Sequence, residues 1–441
     1  MRVDPVRPQR DFLTTIPRPC IHARCRLEPP NIDMRLLVQA EFFPSRIQPW
    51  LLNTTEEAIR RGADVEVVAI KASGTSFPPR VRQLGLLEKT LHLPTHGRDA
   101  VVSGLRQFLP WQRHFFRAWR GLARLASSRA ILTSTPIEIV HAVLHSSLVG
   151  GARYDLVHAH YLATAFDYLE VRKVFHCPLV VTFHGMSPEG VGMLPPERNK
   201  LVFEAGTMFL LNTKFAQRQL ESLGCPPEKI RILPQGLRLD EYEFRPRAYP
   251  ADGRVVILTV ARFHRDKGHE YAIRAVAQLV ALGKELEYRL VGVGPERAKL
   301  EALVAELGLR DRVRFLGQLN DEELRREYAT AHIFILPSIR DEVGHHEETQ
   351  GAVIQEAQAS GAIVISTRTG GIPECVDDGR SAFLVPDRDA DAMANIIFEV
   401  ISSPDQWDEW QRAGRAWVEA HFDTAVLGDK LWALYQEALQ A

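Results

Sequence analysis

VVILTVARFHRDKGHEYAIRAVAQLVALGKELEYRLVGVG, Val255–Gly294, holds two short apolar runs on either side of a longer amphipathic one. The first run, VVILTV, is β-branched or apolar throughout, the composition of a strand buried on both faces. GHEYAIRAVAQLVALG repeats its apolar residues with helical spacing and stops at a glycine. YRLVGVG is a strand again. A strand, a helix and a strand at this spacing need a crossover connection, which makes the strands parallel and lays the helix on the sheet.

The rhythm continues on both sides. Downstream come the helix PERAKLEALVAELG and the strands VRFLG, IFILP and AIVIST. Upstream, RLLVQA, DVEVVAI, YDLVHAH, PLVVTFHG, MFLLN and IRILPQG read as strands. LNTTEEAIRRGA, closed by Gly62, and TKFAQRQLESLG read as helices. EYEFRPRAYPADG at 241–253 breaks the pattern with two prolines, a glycine and many charges, and reads as a linker. The expected fold is therefore α/β, two facing Rossmann-like doubly wound domains over 34–240 and 254–441, with the last helix able to return to the first domain. Such sheets bind ligands beyond the carboxyl ends of their strands, so the cleft between the domains is the expected site.

Composition excludes several classes. A 441-residue chain with 45% apolar and 25% charged residues is ordinary for a globular protein of two domains. A net charge of −1 does not suit a nucleic-acid binder, and no run approaches the roughly 18 apolar residues of a membrane span. Five scattered cysteines without CxxC pairing suit a reducing cytoplasm, not a disulfide scaffold or a zinc site. Residues 1–33 carry six arginines and six prolines without periodicity and read as a disordered extension; Met34 is a second candidate start of translation.

Candidate site residues cluster after the strands of the second half. Arg262 and Lys267 lie in the strand-to-helix loop ARFHRDKGHE, where two fixed cations suit a diphosphate leaving group. Read alone, the same loop is an exposed basic turn. Gly292 and Gly294 of VGVGPE follow another strand, yet Arg297 stands where a GxGxxG fingerprint needs its last glycine. In HHEETQGAVIQEAQASG, Glu348 and Glu356 are separated by seven residues. Gly351 opens a helix whose first turn offers N–H groups to an anion, and Gly361 closes it. Glu348 precedes that turn. Glu356 lies on the helix, where a carboxylate can accept two hydroxyl hydrogen bonds, as a ribose offers. The plain alternative is a helix-dipole partner and a solvated helix residue. Gly370 and Gly371 of TRTGGIPECVDDG let backbone approach a ligand closely. No metal site is expected: Asp387, Asp389 and Asp391 sit beyond the sheet at a helix start, and adjacent His345 and His346 suit one metal poorly.

In order and spacing, ARFHRDKGH, VGVGPER, DRVRFLGQL, the E-x7-E run and STRTGGIPECVDDG resemble the family 4 retaining glycosyltransferases of GT-B fold. The resemblance spans about 34–441 and is nearest to colanic acid and exopolysaccharide types, whose amino-terminal segment FPSRIQPWLLNTTEEAIRRGADVEVV is similar to. It implies transfer of a sugar from a nucleotide-diphosphate donor to a glycan or polyprenol-linked acceptor, in surface polysaccharide synthesis, without metal or other cofactor. Arg262 and Lys267 would hold the diphosphate, Glu348 the sugar hydroxyls and Glu356 the ribose; His184, ending VVTFHG, would face donor sugar and acceptor. The donor set implied is Arg262, Lys267, Gly292, Gly294, Glu348, Gly351, Glu356, Gly370 and Gly371. Two departures stand out: EFFPSRIQPW replaces the family's glycine-rich loop, and E-T-Q-G replaces E-G-F-G, which bears on sugar specificity.

Ala100–Ile137 contains no acidic residue, and 104–129 sets six arginines among Trp111, Phe115, Phe116 and Trp119. That pattern suits a helix on an anionic membrane surface as well as an ordinary packed helical pair. The expected location is the cytoplasm, with a peripheral contact at the inner membrane face. Two alternatives share the fold: a sugar-nucleotide 2-epimerase, and a non-catalytic partner in a polysaccharide assembly complex.

Overall fold

The computed structural model describes residues 34–45, 48–71, 77–92, 153–175, 177–186, 194–341 and 346–441. The extension at 1–33, the arginine-aromatic segment at 104–129 and His345 lie outside the described residues.

The first sheet has seven parallel strands in the order β3-β2-β1-β4-β5-β6-β7. They are β1 Arg35–Phe42, β2 Asp64–Lys71, β3 Thr90–His92, β4 Leu156–His160, β5 Leu179–Phe183, β6 Met208–Leu211 and β7 Ile230–Ile232. The described helices between them are α1 Pro49–Arg60, α2 Pro79–Gln83, α3 Leu162–Phe175, α4 Pro196–Ala205 and α5 Lys214–Ser222. α1 starts ahead of the LNTTEE stretch, because Pro49 is preset for the first helical turn.

The second sheet has six parallel strands in the order β10-β9-β8-β11-β12-β13. Its strands are β8 Val255–Val260, β9 Leu286–Val291, β10 Val313–Gly317, β11 Ile333–Leu336, β12 Ile363–Thr367 and β13 Ala382–Val385. Its helices are α6 His269–Ala281, α7 Arg297–Glu306, α8 Asp321–Thr330, α9 Ala352–Ser360, α10 Ala390–Ser402 and α11 Trp407–His421. α8 opens on a capping box in which Asn320 and Glu323 bond each other's backbone N–H.

Every residue of β4, β5, β6, β11 and β12 is buried, as strands covered by helices on both faces must be. In each sheet the strand order reverses once, between β1 and β4 and between β8 and β11. Loops diverge there and leave a crevice.

The chain passes between the two units twice, and the passages touch. Leu237 N–H donates to Phe422 O at 2.7 Å, and Thr424 N–H to Leu237 O at 3.1 Å. Tyr242–Pro250 runs along the second unit, where half-buried Arg247 donates to Ala329 O and Ser360 O at 2.9 and 3.1 Å. α12, Thr424–Gln440, lies against the first sheet: Leu431, Trp432 and Tyr435 share a core with Leu36, Val38 and Leu51. Among the described residues no helix is long and apolar enough to cross a membrane.

Candidate active site

The loop after β8 is shaped by glycines that meet protein, not open space. Gly268 has φ +59°, and a Cβ there would lie 2.1 Å from Pro337 O. A Cβ on Gly292 would lie 2.0 Å from Ala261 O, and one on Gly294 2.3 Å from Phe263 O. The loops after β8 and β9 thus interlock by their backbones, with Phe263 N–H donating to Val293 O at 2.9 Å. At Gly292 and Gly294 the space that a side chain would need is occupied by Ala261–Phe263.

This packing presents Arg262 and Lys267 differently. Arg262 is exposed. Lys267 is 9% exposed, and its Nζ donates to Glu348 Oε2 at 2.6 Å while lying 3.2 Å from Asp266 Oδ2. Burial alone would lower the lysine, but the charges of Glu348 and Asp266 hold it above its ordinary range. Burial would raise Glu348, and Lys267 overcomes this to keep it a carboxylate. Asp266, 1% exposed, also meets His264 Nδ1 at 2.5 Å and His346 Nε2 at 3.2 Å. Against the cost of burial, these partners hold its carboxyl well below the usual range.

Glu348 is set by the backbone beneath it. A Cβ on Gly370 would meet Glu348 O at 2.1 Å and one on Gly371 would meet Thr349 O at 2.0 Å, so here too protein fills the space. Gly371 N–H donates to Glu348 O at 2.7 Å. The next residue but one, Thr349 aside, is Gln350, and both are buried, at 7% and 2% exposure. They turn towards the first unit: Thr349 Oγ1 donates to His184 O at 3.3 Å and Thr349 O accepts from Thr213 Oγ1 at 3.0 Å. Gly351 follows in the left-handed region, φ +74°, as the N-cap of α9.

Glu356, one turn further, is not a solvated helix residue. Its Oε2 accepts from Tyr328 OH at 2.7 Å. Burial pushes its carboxyl up to about 7, opposed by hydrogen bonds from Tyr328 and Tyr242. Two tyrosine hydroxyls of the protein therefore already hold this carboxyl.

From the first sheet, His184 follows β5 directly. Its Nδ1 lies 3.1 Å from Gln235 Nε2 and its Nε2 3.3 Å from His160 Nδ1. The Trp50 ring packs on it with centroids 3.9 Å apart, and Tyr161 lies at 4.8 Å. Burial lowers His184 to about 3, aided by His158, so the ring is neutral at physiological pH. Tyr161 takes φ +76°, a strained setting for a bulky residue of the kind found at functional sites. His346 closes the ring of contacts across the units, its Nδ1 2.6 Å from Met186 O.

The structure brings His184, Lys267 and Glu348 together through two short chains of contact, with Arg262 on the same β8 loop. Sequence reasoning passed over Asp266, Trp50, His160, Tyr161, Gln235, Tyr242 and Tyr328. Asp266 sits inside the quoted ARFHRDKGHE loop, and His160 ends YDLVHAH as His184 ends VVTFHG, which are signals that could have found them. Asp389 caps α10 through Ala392 N–H at 2.8 Å, and that helix is followed by two more. No group of three His, Cys, Asp or Glu side chains fit for a metal occurs among the described residues.

Residues 241–417 match the family described as glycosyl transferases group 1, and residues 49–241 match glycosyltransferase family 4. WcaL of Salmonella typhimurium, a glycosyltransferase named for colanic acid biosynthesis, is 30% identical over 374 residues, 81% of this chain and 88% of that protein. The amylovoran biosynthesis glycosyltransferase AmsK of Erwinia amylovora is 28% identical over 396 residues, 89% of this chain and 97% of its own. Among solved structures, Anabaena HepE in complex with UDP is similar with a TM-score of 0.68 at 18% identity, covering 92% of this chain and 100% of that one. Sucrose-phosphate synthase from Thermosynechococcus elongatus gives 0.66 at 21% identity, with 92% and 98% covered. These two are alike in fold, the two-domain GT-B arrangement.

Proposed function

The chain belongs to the glycosyltransferases of group 1 and family 4, and from that premise we propose that it moves a sugar from a nucleotide diphosphate to a glycan or lipid-linked glycan, with retention of configuration, in surface polysaccharide synthesis. The observation that carries this reading is the largely buried Lys267–Glu348 pair at the switch point of the second sheet, next to Thr349, whose hydroxyl donates to His184 O. A crevice with a cation held ready and a carboxylate held ionised suits a diphosphate and the sugar attached to it. The relatives named for colanic acid and amylovoran biosynthesis support the pathway, and the UDP bound by HepE supports a nucleotide-sugar donor. Neither the epimerase nor the non-catalytic reading is favoured by them.

Arg262 and Lys267 take the diphosphate and stabilise the charge that grows as the sugar–oxygen bond breaks. Glu348 accepts hydrogen bonds from sugar hydroxyls, and Glu356, which Tyr328 and Tyr242 hold in place, accepts from the ribose. His184, neutral and hydrogen-bonded, faces the donor sugar from the first unit, with Trp50 and Tyr161 beside it for the acceptor. Holding the two substrates in line supplies on the order of 7–11 kcal/mol. The fixed cations serve where other transferases use a metal ion. A polyprenol-linked acceptor at the inner membrane face agrees with the charge pattern of 104–129. Binding to anionic liposomes that is lost on Arg117/Arg120/Arg124→Glu supports that contact, and no binding removes it.

The first experiment is thermal shift with UDP-, GDP- and ADP-sugars, each with and without EDTA. Stabilisation by one base class, unchanged by EDTA, is the expected result. No shift with any donor overturns the reading.

A further inference from the structure

Gln350 stands where the resemblance leads one to expect phenylalanine, and the structure shows what its amide does. Gln350 Oε1 accepts from Gln235 N–H at 2.7 Å, and its Nε2 donates to Gln235 O at 3.0 Å. One side chain thus pairs with both backbone groups of one residue, as a neighbouring strand would. A third contact, 3.3 Å from Nε2 to Gln355 Oε1, ties the amide to α9. Gln235 lies just before the passage between the two units, and its own amide reaches the ring of His184 at 3.1 Å.

We infer that Gln350 is a positioning residue that fixes the orientation and tautomer of His184 through Gln235. An amide nitrogen only donates, so His184 Nδ1 accepts and the ring proton sits on Nε2. That proton then points to His160 Nδ1, 3.3 Å away, so each ring has one defined tautomer. The segment that carries Glu348 grips the His184 loop at three further points: Thr349 Oγ1 on His184 O, the Thr349 methyl over Gly185, where a Cβ would lie 2.3 Å away, and His346 on Met186 O. Glu348 and His184 come from different sheets, and Gln350 keeps them in register. The inference rests on the proposed role of His184 in transfer.

The test is histidine-selective nitrogen NMR on the full-length chain, with the His184 signals identified by their loss in His184→Gln. The native chain is expected to show the Nε2-protonated tautomer alone. Gln350→Leu, and the near-isosteric Gln350→Met should the first fail to fold, are expected to give mixed tautomers while His269 signals stay unchanged. Gln235→Met is expected to give the same change. Turnover of the donor found by thermal shift should fall about tenfold or more, with its KM within twofold. His184 signals unchanged in the Gln350 variants overturn the inference, whatever Gln235→Met does. Normal turnover of His184→Gln overturns instead the role of His184 and leaves the tautomer result standing.

Discussion

Lys267 Nζ lies 2.6 Å from Glu348 Oε2, and the two side chains come from loops that follow neighbouring strands, β8 and β11. The pair is largely buried, with 11% and 20% of the side chains exposed, so removing one partner strands the other. Lys267→Met should destabilise the free chain by roughly 2–4 kcal/mol, because Glu348 and Asp266 lose their cation. Adding Glu348→Gln should recover much of that loss without restoring turnover. The sign with pH follows from the shifts. Glu348 is lowered, so its share is present above its unfolded value and lost as pH falls through the folded one; Lys267 is raised, so its share is lost as pH rises through its folded value. Denaturant titration of the single and double variants measures this. Additive losses would show that the two side chains do not act as a pair.

Arg262 should behave in the opposite way. It is exposed on the same loop, so Arg262→Ala is expected to change stability by no more than about 0.5 kcal/mol. Turnover should nonetheless fall by about a hundredfold or more, since a charge that stabilises the departing diphosphate is gone. Steady-state kinetics beside thermal unfolding separates the two effects. A near-normal rate would refute the diphosphate clamp.

The contrast shows what a linear reading could reach. The alternation of apolar runs and amphipathic segments placed Arg262, Lys267 and His184 at strand ends and Glu348 just ahead of a helix, because period and composition carry that information. What lay out of reach was pairing across distance. Tyr328 comes to Glu356 from α8, and Gln235 comes to His184 from beyond β7, through contacts that no spacing encodes. The glycines divide likewise. Close backbone approach was readable at Gly370 and Gly371, but not the protein neighbours that a Cβ would meet there, Glu348 O and Thr349 O.

Glu356 gives a proton-linkage prediction. Burial holds its carboxyl up to about 7, whereas ribose hydroxyls would bind its charged form. Binding a nucleoside diphosphate should therefore release a proton below about pH 7, and affinity should rise with pH towards that value. Without ligand the sign is reversed for folding. A raised carboxyl binds its proton more tightly in the native state, so stability falls as pH rises from the unfolded value towards about 7. Calorimetry in buffers of different ionisation enthalpy reads the released proton. Identical heats in all buffers would mean that Glu356 does not contact the ligand.

Gly371 tests whether the Glu348 loop must be held in place. Its φ is −90°, ordinary for any residue, so Gly371→Ala carries no penalty of handedness. The added Cβ would instead meet Thr349 O at 2.0 Å and Thr213 Oγ1 at 2.8 Å. It would push apart the 3.0 Å hydrogen bond from Thr213 to Thr349 and displace the Glu348 backbone that Gly371 N–H supports. A displacement of about 1 Å at a reacting group can cost on the order of a hundredfold, which is the loss of turnover expected here. Gly379→Ala is the control: φ is +81° with nothing within 4 Å, so it should cost about 1–2 kcal/mol of stability and leave turnover intact. Turnover within twofold of the native chain for Gly371→Ala would show that the loop tolerates displacement, and that Glu348 does not depend on the seat beneath it.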